Sequence, residues 1–329
     1  MKKFSFRASG YILVPLFLFI ACSSGVRPQS SQSIVPSGSW SRGAPLPISI
    51  SEVAVAATED KIYVIGGSTP ERVDQPTNYE YDIASNTWRE RAPLPRGLTH
   101  AAAVSLRGKI YVVGGFTESG HGGAVNLVFE YDPATDSWRS RAPLNSPRGS
   151  VGVTVLDGKI HAIGGRGVDR VTVATHEVYD PAIDRWSLLA QLPKARDHLA
   201  VVAGDAFIHV IGGRLNSSAE NVDLHDVYNP ATNSWHPGRP LPTPRSAVAA
   251  ALYQGKIFVT GGECLNKRTY PQNEAFDLKS GTWTSFAPMA IGRHGFGAAA
   301  VGRNLYFAAG ATECGGGERT NELLVFSLP

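Results

Sequence analysis

The chain has 329 residues, of which 43% are hydrophobic and 18% charged, and its formal net charge at pH 7 is +3. This small charge is carried by dispersed arginines without a basic run interleaved with aromatics, which argues against nucleic-acid binding. The 35 Gly and 22 Pro favour many short strands over helices.

The first 21 residues predict a secretory signal peptide. Lys2, Lys3 and Arg7 make a positively charged start, and an apolar run follows from Tyr11 to Ala21. A run of this length is too short to span a bilayer core ~30 Å thick, which takes about 20 helical residues. Such a run after a basic start is typical of a cleaved signal.

The end of the apolar run, LFIAC, resembles the lipobox of bacterial lipoproteins, with Phe19 where that family usually has Leu. In that family the signal is cut before the cysteine, which here is Cys22 and which then carries a lipid. An ordinary cleaved signal beside an incidental cysteine is the alternative. Residues 22–39 are rich in Ser, Gln, Pro and Gly and predict a flexible tether. We therefore expect an exported protein of the bacterial periplasm or cell surface, anchored in a membrane through Cys22.

The rest of the chain contains an internal repeat of about 49 residues, marked by Trp, by Gly–Gly pairs and by an aromatic residue before Asp. The Trp residues are Trp40, Trp88, Trp138, Trp186, Trp235 and Trp283. The Gly–Gly pairs begin at Gly66, Gly114, Gly164, Gly212 and Gly261, and a degenerate Ala309-Gly310 is the sixth. Three markers with one period indicate a repeat architecture.

Each unit predicts four short antiparallel strands, as the second unit shows. Residues 98–106 form a small-residue strand, 109–115 a β-branched strand ending in two glycines, and 126–132 a third strand, and Trp138 begins the fourth. One such sheet cannot bury both of its faces, so it must stack on copies of itself. Radial stacking of four-stranded sheets is a β-propeller.

The combination of Gly-Gly, Tyr-Asp and Trp at this spacing resembles the kelch repeat over essentially all of residues 40–329. The resemblance implies an all-β, six-bladed propeller of four-stranded kelch blades. The last repeat begins at Arg293 and has three strands without a Trp, whereas Trp40 belongs to a fourth strand that lacks the first three. We therefore expect the N-terminal strand to close the last blade, which removes the free sheet edges.

Loop positions at equivalent places in the six units should converge on one face, because the innermost strands all run the same way. Two such sets of six equivalent positions contain Arg, His and Glu residues, which suit a polar ligand that carries carboxylate or hydroxyl groups. The candidate ligand-binding residues are Glu52, His100, His198, Arg166, Arg214, Glu263 and Glu313. Four further arginines in this region are predicted to be structural, pairing with acidic residues between blades: Arg148, Arg196, Arg245 and Arg293.

Metal ions and cofactors are not predicted, because no dense ligand spacing such as HxH or HExxH occurs. The glycine-rich stretches 120–123 and 315–317 lack the strand-to-helix context of a phosphate loop and are predicted to be loop tips. Cys264 and Cys314 lie in comparable loops of adjacent units. In an oxidising compartment they predict a disulfide, with two free thiols as the alternative.

These observations predict a monomeric binding or scaffold module that takes a protein or glycan ligand on one face of the ring. The alternative is a sugar-directed enzyme of the epimerase or mutarotase type, because the layout is similar to that of the bacterial N-acetylneuraminate epimerases. In that family an Arg and a Glu are the catalytic groups that act on a sugar acid. The resemblance does not assign these two roles to particular residues of this chain. The loops after the Gly–Gly pairs are short, which favours binding over catalysis because nothing long could cover a pocket.

Overall fold

The computed structural model describes residues 1, 37–118, 121–264 and 267–329. The predicted signal peptide, the predicted lipidation site at Cys22 and most of the predicted tether lie outside the described residues. Within the described part of the chain, no helix is long and apolar enough to cross a membrane.

The described chain forms six four-stranded antiparallel sheets, each of which is one blade of a propeller. Its first strand, β1 (Ser39–Arg42), belongs to the last blade. Blade one contains β2 (Ala54–Ala57), β3 (Lys61–Ile65), β4 (Asn78–Asp82) and β5 (Thr87–Glu90). Blade two contains β6 (Ala102–Leu106), β7 (Lys109–Val113), β10 (Val128–Asp132) and β11 (Ser137–Ser140). A separate two-stranded hairpin, β8 (Phe116–Glu118) and β9 (Gly122–Ala124), lies between β7 and β10.

The remaining blades repeat the same order of strands. Blade three contains β12 (Gly152–Leu156), β13 (Lys159–Ile163), β14 (His176–Asp180) and β15 (Arg185–Leu188). Blade four contains β16 (Ala200–Gly204), β17 (Phe207–Ile211), β18 (His225–Asn229) and β19 (Ser234–Pro237). Blade five contains β20 (Ala249–Tyr253), β21 (Lys256–Thr260), β22 (Asn273–Asp277) and β23 (Thr282–Ser285). Blade six contains β24 (Gly297–Val301), β25 (Asn304–Ala308) and β26 (Leu323–Ser327), with β1 as its fourth strand.

The predicted closure of the last blade by the N-terminal strand is confirmed. Strand β1 pairs antiparallel with β26, so that Trp40 lies opposite Phe326. The innermost strands contact one another around the complete ring, because β2 packs against β6 on one side and β24 on the other. The six-bladed propeller therefore has no open side.

The Gly–Gly pairs link each blade to the next. In every pair the N–H of the second residue donates to a carbonyl of the following blade, as from Gly67 to Leu98 at 2.8 Å. The last of these bonds, from Gly310 to Ile50 at 2.9 Å, joins blade six to blade one. Gly114 has a φ of 63°, and a Cβ at this position would collide with the carbonyl oxygen of Arg148. Glycine is required there because a neighbouring backbone approaches so closely.

The repeated Trp residues form a second set of links between blades. The Trp88 ring packs against Tyr81 at 4.9 Å between centroids, and its indole N–H donates to the Ala44 carbonyl at 2.7 Å. Ala44 precedes Pro45, and every Trp donates to the carbonyl at the equivalent place of a connection. The acceptor is an Ala in five cases and Arg239 in the sixth, and a Pro follows it in every case except that of Ala190. This bond explains why Trp and Ala-Pro recur together in the sequence: one supplies the donor and the other the acceptor.

Four buried arginines stabilise blades three to six. Arg245 donates from Nη1 to Glu274 Oε2 at 2.5 Å and from Nη2 to the Val259 carbonyl at 2.7 Å. The other pairs are Arg148–Glu177, Arg196–Asp226 and Arg293–Glu322. These residues pair with acids as predicted, but the acid lies on or just before the third strand of the same blade. The expectation of pairing between blades was wrong, because the arginine side chain points back into the blade that it precedes.

Blades three and four each contain a buried pair of histidines. His161 Nδ1 lies 2.9 Å from His176 Nε2, and His209 Nδ1 lies 2.9 Å from His225 Nε2. Burial lowers the pKa of His161 and His209 to about 4 and that of His176 to about 3, and it also lowers the pKa of His225. All four imidazoles are therefore neutral in the folded protein at pH 7.

Stability should fall when the pH drops from 7 to 5. The folded pKa values lie below the unfolded value of about 6.5, so the unfolded chain takes up protons first and the stability present above pH 6.5 is lost on acidification. We expect a loss of about 2 kcal/mol for each histidine whose folded pKa is about 4 or lower, measured by urea unfolding at both pH values. Blade five offers a matched control, because Phe258 and Asn273 stand at the corresponding positions. A variant with His161→Phe and His176→Asn should lose less stability, and an unchanged pH dependence would contradict this account.

Candidate functional site

Six residues just before the innermost strands surround the mouth of the central channel. They are Glu52, His100, Ser150, His198, Ala247 and Gly295, and their φ angles lie between 50° and 61°. Neighbouring members are joined by backbone hydrogen bonds, such as His100 N–H to the Glu52 carbonyl at 3.0 Å. A left-handed φ is costly for residues other than glycine. The bonds between blades hold this conformation, which brings side chains from distant blades together.

Glu52 lies between two histidines on the blade-one side of the mouth. Its Oε2 atom is 3.2 Å from His100 Nε2, and its Oε1 atom is 3.4 Å from His294 Nδ1. Burial alone would raise the pKa of Glu52, but His100 and His294 lower it well below its ordinary value. Burial opposes protonation of His294, but the bond to Glu52 raises its pKa. Glu52 is therefore an ionised carboxylate that His294 stabilises.

Asp197 organises the opposite side of the mouth and is completely buried. It accepts hydrogen bonds from Arg166 Nε at 2.5 Å, from Arg214 Nε at 2.9 Å and from His198 Nδ1 at 2.9 Å. Burial alone would raise the pKa of Asp197, but His198, Arg214 and Arg166 hold it far below its ordinary value. Because His198 donates from Nδ1, its Nε2 atom keeps a lone pair directed into the site.

Arg214 connects this carboxylate with three further side chains. Its Nη1 atom donates to Glu263 Oε2 at 2.6 Å, and its Nη2 atom lies 3.2 Å from both His121 Nε2 and His198 Nε2. A guanidinium group can only donate, so both imidazole nitrogens are acceptors. His121 follows β8 and reaches the mouth from the hairpin between β7 and β10.

Three histidines therefore meet at the mouth: His100, His121 and His198. One ring nitrogen of each lies within 4.8 Å of the others. Burial lowers the pKa of His100 to about 4, and burial together with His100 and His198 lowers that of His121 to about 2. His100 and His121 are accordingly neutral at pH 7.

Two pockets open on this face. The first, of ≈ 110 Å³, is lined by Glu52, His100, His121 and the rim residues Arg72 and Arg319, among others. The second, of ≈ 820 Å³, lies beside it and shares Glu263 and Gly315 with it. A small polar pocket next to a wider one can hold one functional group of a ligand while the rest occupies the wider pocket.

The structure brings together most of the predicted candidate residues. Glu52, His100, His198, Arg166, Arg214 and Glu263 all lie at or beside the mouth of the channel. Glu313 does not join them: its side chain is exposed, and it contributes its backbone carbonyl, which accepts from His294 Nε2 at 2.9 Å. Cys264 and Cys314 form a disulfide with their Cα atoms 5.6 Å apart, at the edge of the wider pocket.

The sequence analysis missed five residues of the site, namely Asp197, His294, His121 and the two rim arginines Arg72 and Arg319. Asp197 directly follows Arg196, and His294 directly follows Arg293. Each therefore lies between the position of a repeated arginine and the position of a residue at the channel mouth. An ionisable residue there in two of the six units was the available signal. His121 was assigned to a loop tip because glycines surround it, yet it is half-buried and Gly122 begins strand β9.

Comparisons with known proteins agree with this architecture. The family model described as KLHDC2/KLHL20/DRC7 Kelch-repeats domain matches residues 37–197, and the model described as Kelch motif matches residues 244–290. Among solved structures, the one titled "Structure of YjhT" superposes with a TM-score of 0.74 and 18% sequence identity. The superposition covers 86% of this chain and 97% of that chain, and at this identity it shows the fold alone. The comparison with curated proteins found no match.

Proposed function

Because the chain is a kelch-repeat β-propeller, a fold that supports protein binding or scaffolding in general, we propose that it is an exported, lipid-anchored binding module. Its ligand inserts an acidic, hydroxyl-bearing group into the mouth of the central channel. An acidic sugar of a glycan has this chemistry. A protein that presents a carboxylate is the other ligand that the site could take.

The observation that carries this proposal is the arrangement of charge in the ≈ 110 Å³ pocket. Arg319 and Arg72 lie at its rim, and Arg319 Nε donates to Ser51 Oγ at 3.0 Å, which orients the guanidinium. Below the rim are Glu52 and the neutral His100. Guanidinium groups favour a carboxylate, whereas a carboxylate and an imidazole together can accept from and donate to hydroxyl groups.

Export and anchoring are supported by the sequence of residues 1–22 alone. A basic start, a short apolar run and a cysteine after LFIA are the features that lead to this part of the proposal. The Cys22→Ser variant should leave the membrane fraction, and a variant that stays there would contradict the anchor.

Binding of an acidic sugar is expected to depend on Arg319. We expect the purified full chain to bind glucuronate or N-acetylneuraminate more tightly than neutral sugars in isothermal titration. Arg319→Gln should weaken this binding by about tenfold or more, because a hydrogen bond between charged groups contributes about 1.5–3 kcal/mol.

Arg303→Gln is the matched control, because Arg303 is exposed in the turn between β24 and β25. That turn lies at the opposite end of the inner strand from the channel mouth. Equal loss in both variants would rule out a specific role for Arg319. Binding of an acidic peptide but of no sugar would assign the site to a protein ligand.

Catalysis on an acidic sugar is the second candidate, because Glu52 and His100 lie 3.2 Å apart and could exchange a proton with a substrate. An epimerase or mutarotase needs an acid and a base at one site. The test is anomer exchange of an acidic sugar followed by NMR. An acceleration that Glu52→Gln abolishes would support this function, and an uncatalysed rate with wild-type protein would exclude it.

A further inference from the structure

We propose that His100, His121 and His198 form a binding site for a late first-row transition metal ion, with Zn²⁺ as the ion used to test it. The site does not depend on the proposed sugar ligand. It was not predicted from the sequence, since the three histidines lie in different segments and show no ligand spacing.

The distance between two of the rings is the first support. His121 Nε2 and His198 Nε2 are 3.4 Å apart. Two imidazole nitrogens that bind one tetrahedral zinc ion at about 2.0–2.1 Å are separated by about 3.4 Å. Two nitrogen lone pairs at this distance repel each other unless a shared cation lies between them.

The direction of the lone pairs is the second support. Arg214 Nη2 lies 3.2 Å from both Nε2 atoms, so both lone pairs converge on one point, which a positively charged group occupies. A metal ion that binds there must displace the guanidinium. Arg214 keeps Glu263 and Asp197 as partners through its other nitrogen atoms, so it can move aside without losing its own charge compensation.

The surroundings resemble those of metal-binding histidines in general. His198 donates from Nδ1 to Asp197 at 2.9 Å, which fixes the ring and leaves Nε2 free to bind a metal. His100 has Nε2 3.2 Å from Glu52 Oε2 and Nδ1 3.0 Å from Thr99 Oγ1, so a metal ion that binds this ring must displace one of these two partners.

Three histidine ligands leave a fourth position on a tetrahedral ion, and here it faces the ≈ 110 Å³ pocket. That position would accept a water molecule or an oxygen atom of a ligand. Imidazole ligands suit Zn²⁺, Cu²⁺ and Ni²⁺ rather than Mg²⁺ or Ca²⁺.

Zinc binding to the purified full chain, in the absence of sugar, tests the proposal by competition with a chromophoric chelator. We expect one Zn²⁺ per chain at this site. His121→Ala should weaken binding more than about 100-fold, beyond the 10–100-fold typical of losing an outer partner. His121→Cys should retain it, because a thiolate also binds zinc. His236→Ala is the control, because His236 is exposed on β19.

Arg214→Gln distinguishes a metal site from a purely structural cluster. Removing the competing positive charge should tighten zinc binding by about tenfold or more. Co²⁺ should give the intense visible absorption of a tetrahedral complex, and His121→Ala should remove it. Equal zinc affinity in wild type and His121→Ala, or weaker binding in Arg214→Gln, would overturn the proposal. Failure of sugar binding would leave these results unaffected.

Discussion

A chain that begins at residue 48 should fail to fold cooperatively, whereas a chain that begins at residue 37 should unfold like the full-length protein. Removing β1 takes away the partner of β26 and the indole of Trp40, which donates to the Ala287 carbonyl at 2.8 Å. It also removes Leu46, which is completely buried. Losing a fully buried Trp costs about 3–5 kcal/mol and a Leu about 2–5 kcal/mol. Trp40 is half-buried, so its loss costs less than the full value, but together with Leu46 and the lost strand pairing it approaches the whole stability of a typical domain.

Urea unfolding followed by tryptophan fluorescence and far-UV circular dichroism measures this effect. A peptide of residues 36–48 added to the shortened chain should restore part of the lost structure, because it can pair with the free edge of β26. An unchanged urea-unfolding transition in the chain that begins at residue 48 would show that the ring does not need its closing strand.

Arg245→Leu should destabilise the protein by about 3–5 kcal/mol, the usual cost of breaking a buried ion pair. The substitution leaves Glu274 buried without its cation, and it leaves the Gly261 and Val259 carbonyls without the donors that Arg245 supplies. The change is measured as the loss in free energy of unfolding in urea.

The first two blades show which second substitution should compensate. Leu98 stands at the position of Arg245, and Phe129 at that of Glu274, and both are buried. The double variant Arg245→Leu and Glu274→Phe should recover at least about half of the loss, since replacing a buried ion pair by apolar residues of similar volume is often neutral. A double variant less stable than Arg245→Leu alone would show that blade five cannot adopt the apolar pairing.

The number and order of the blades could be predicted because each depends on residues that recur at one spacing. Trp88 and its five equivalents bond to a carbonyl at one place in the connections, which a Pro follows in five of the six cases, and the second glycine of each pair bonds to the next blade. These contacts are the same in every blade, so their residues repeat. The closing strand could also be predicted, because Trp40 lies in a fourth strand without the first three of its blade. The last repeat, in contrast, has three strands and lacks a fourth.

The candidate site was predicted less completely, because its residues differ from blade to blade. Glu52, His100 and His198 could be found since they stand at one position of the repeat. His121 belongs to a hairpin inserted in blade two, and among the residues that the structure describes no other blade has such a hairpin to compare with it. Glu313 was grouped with these residues from its place in the repeat, but its side chain is exposed, because the direction of a loop side chain does not follow from its position in the repeat.

The sequence by itself thus determined the propeller, its six blades and its closure, because these depend on regular backbone pairing and on markers with a constant period. Tertiary structure alone decided which side chains meet at the mouth of the channel. His121 meets His198 across 77 residues and Arg214 across 93. Contacts at such separations depend on the left-handed backbone at the mouth and on the curvature of the ring. Neither can be predicted from a local pattern in the sequence.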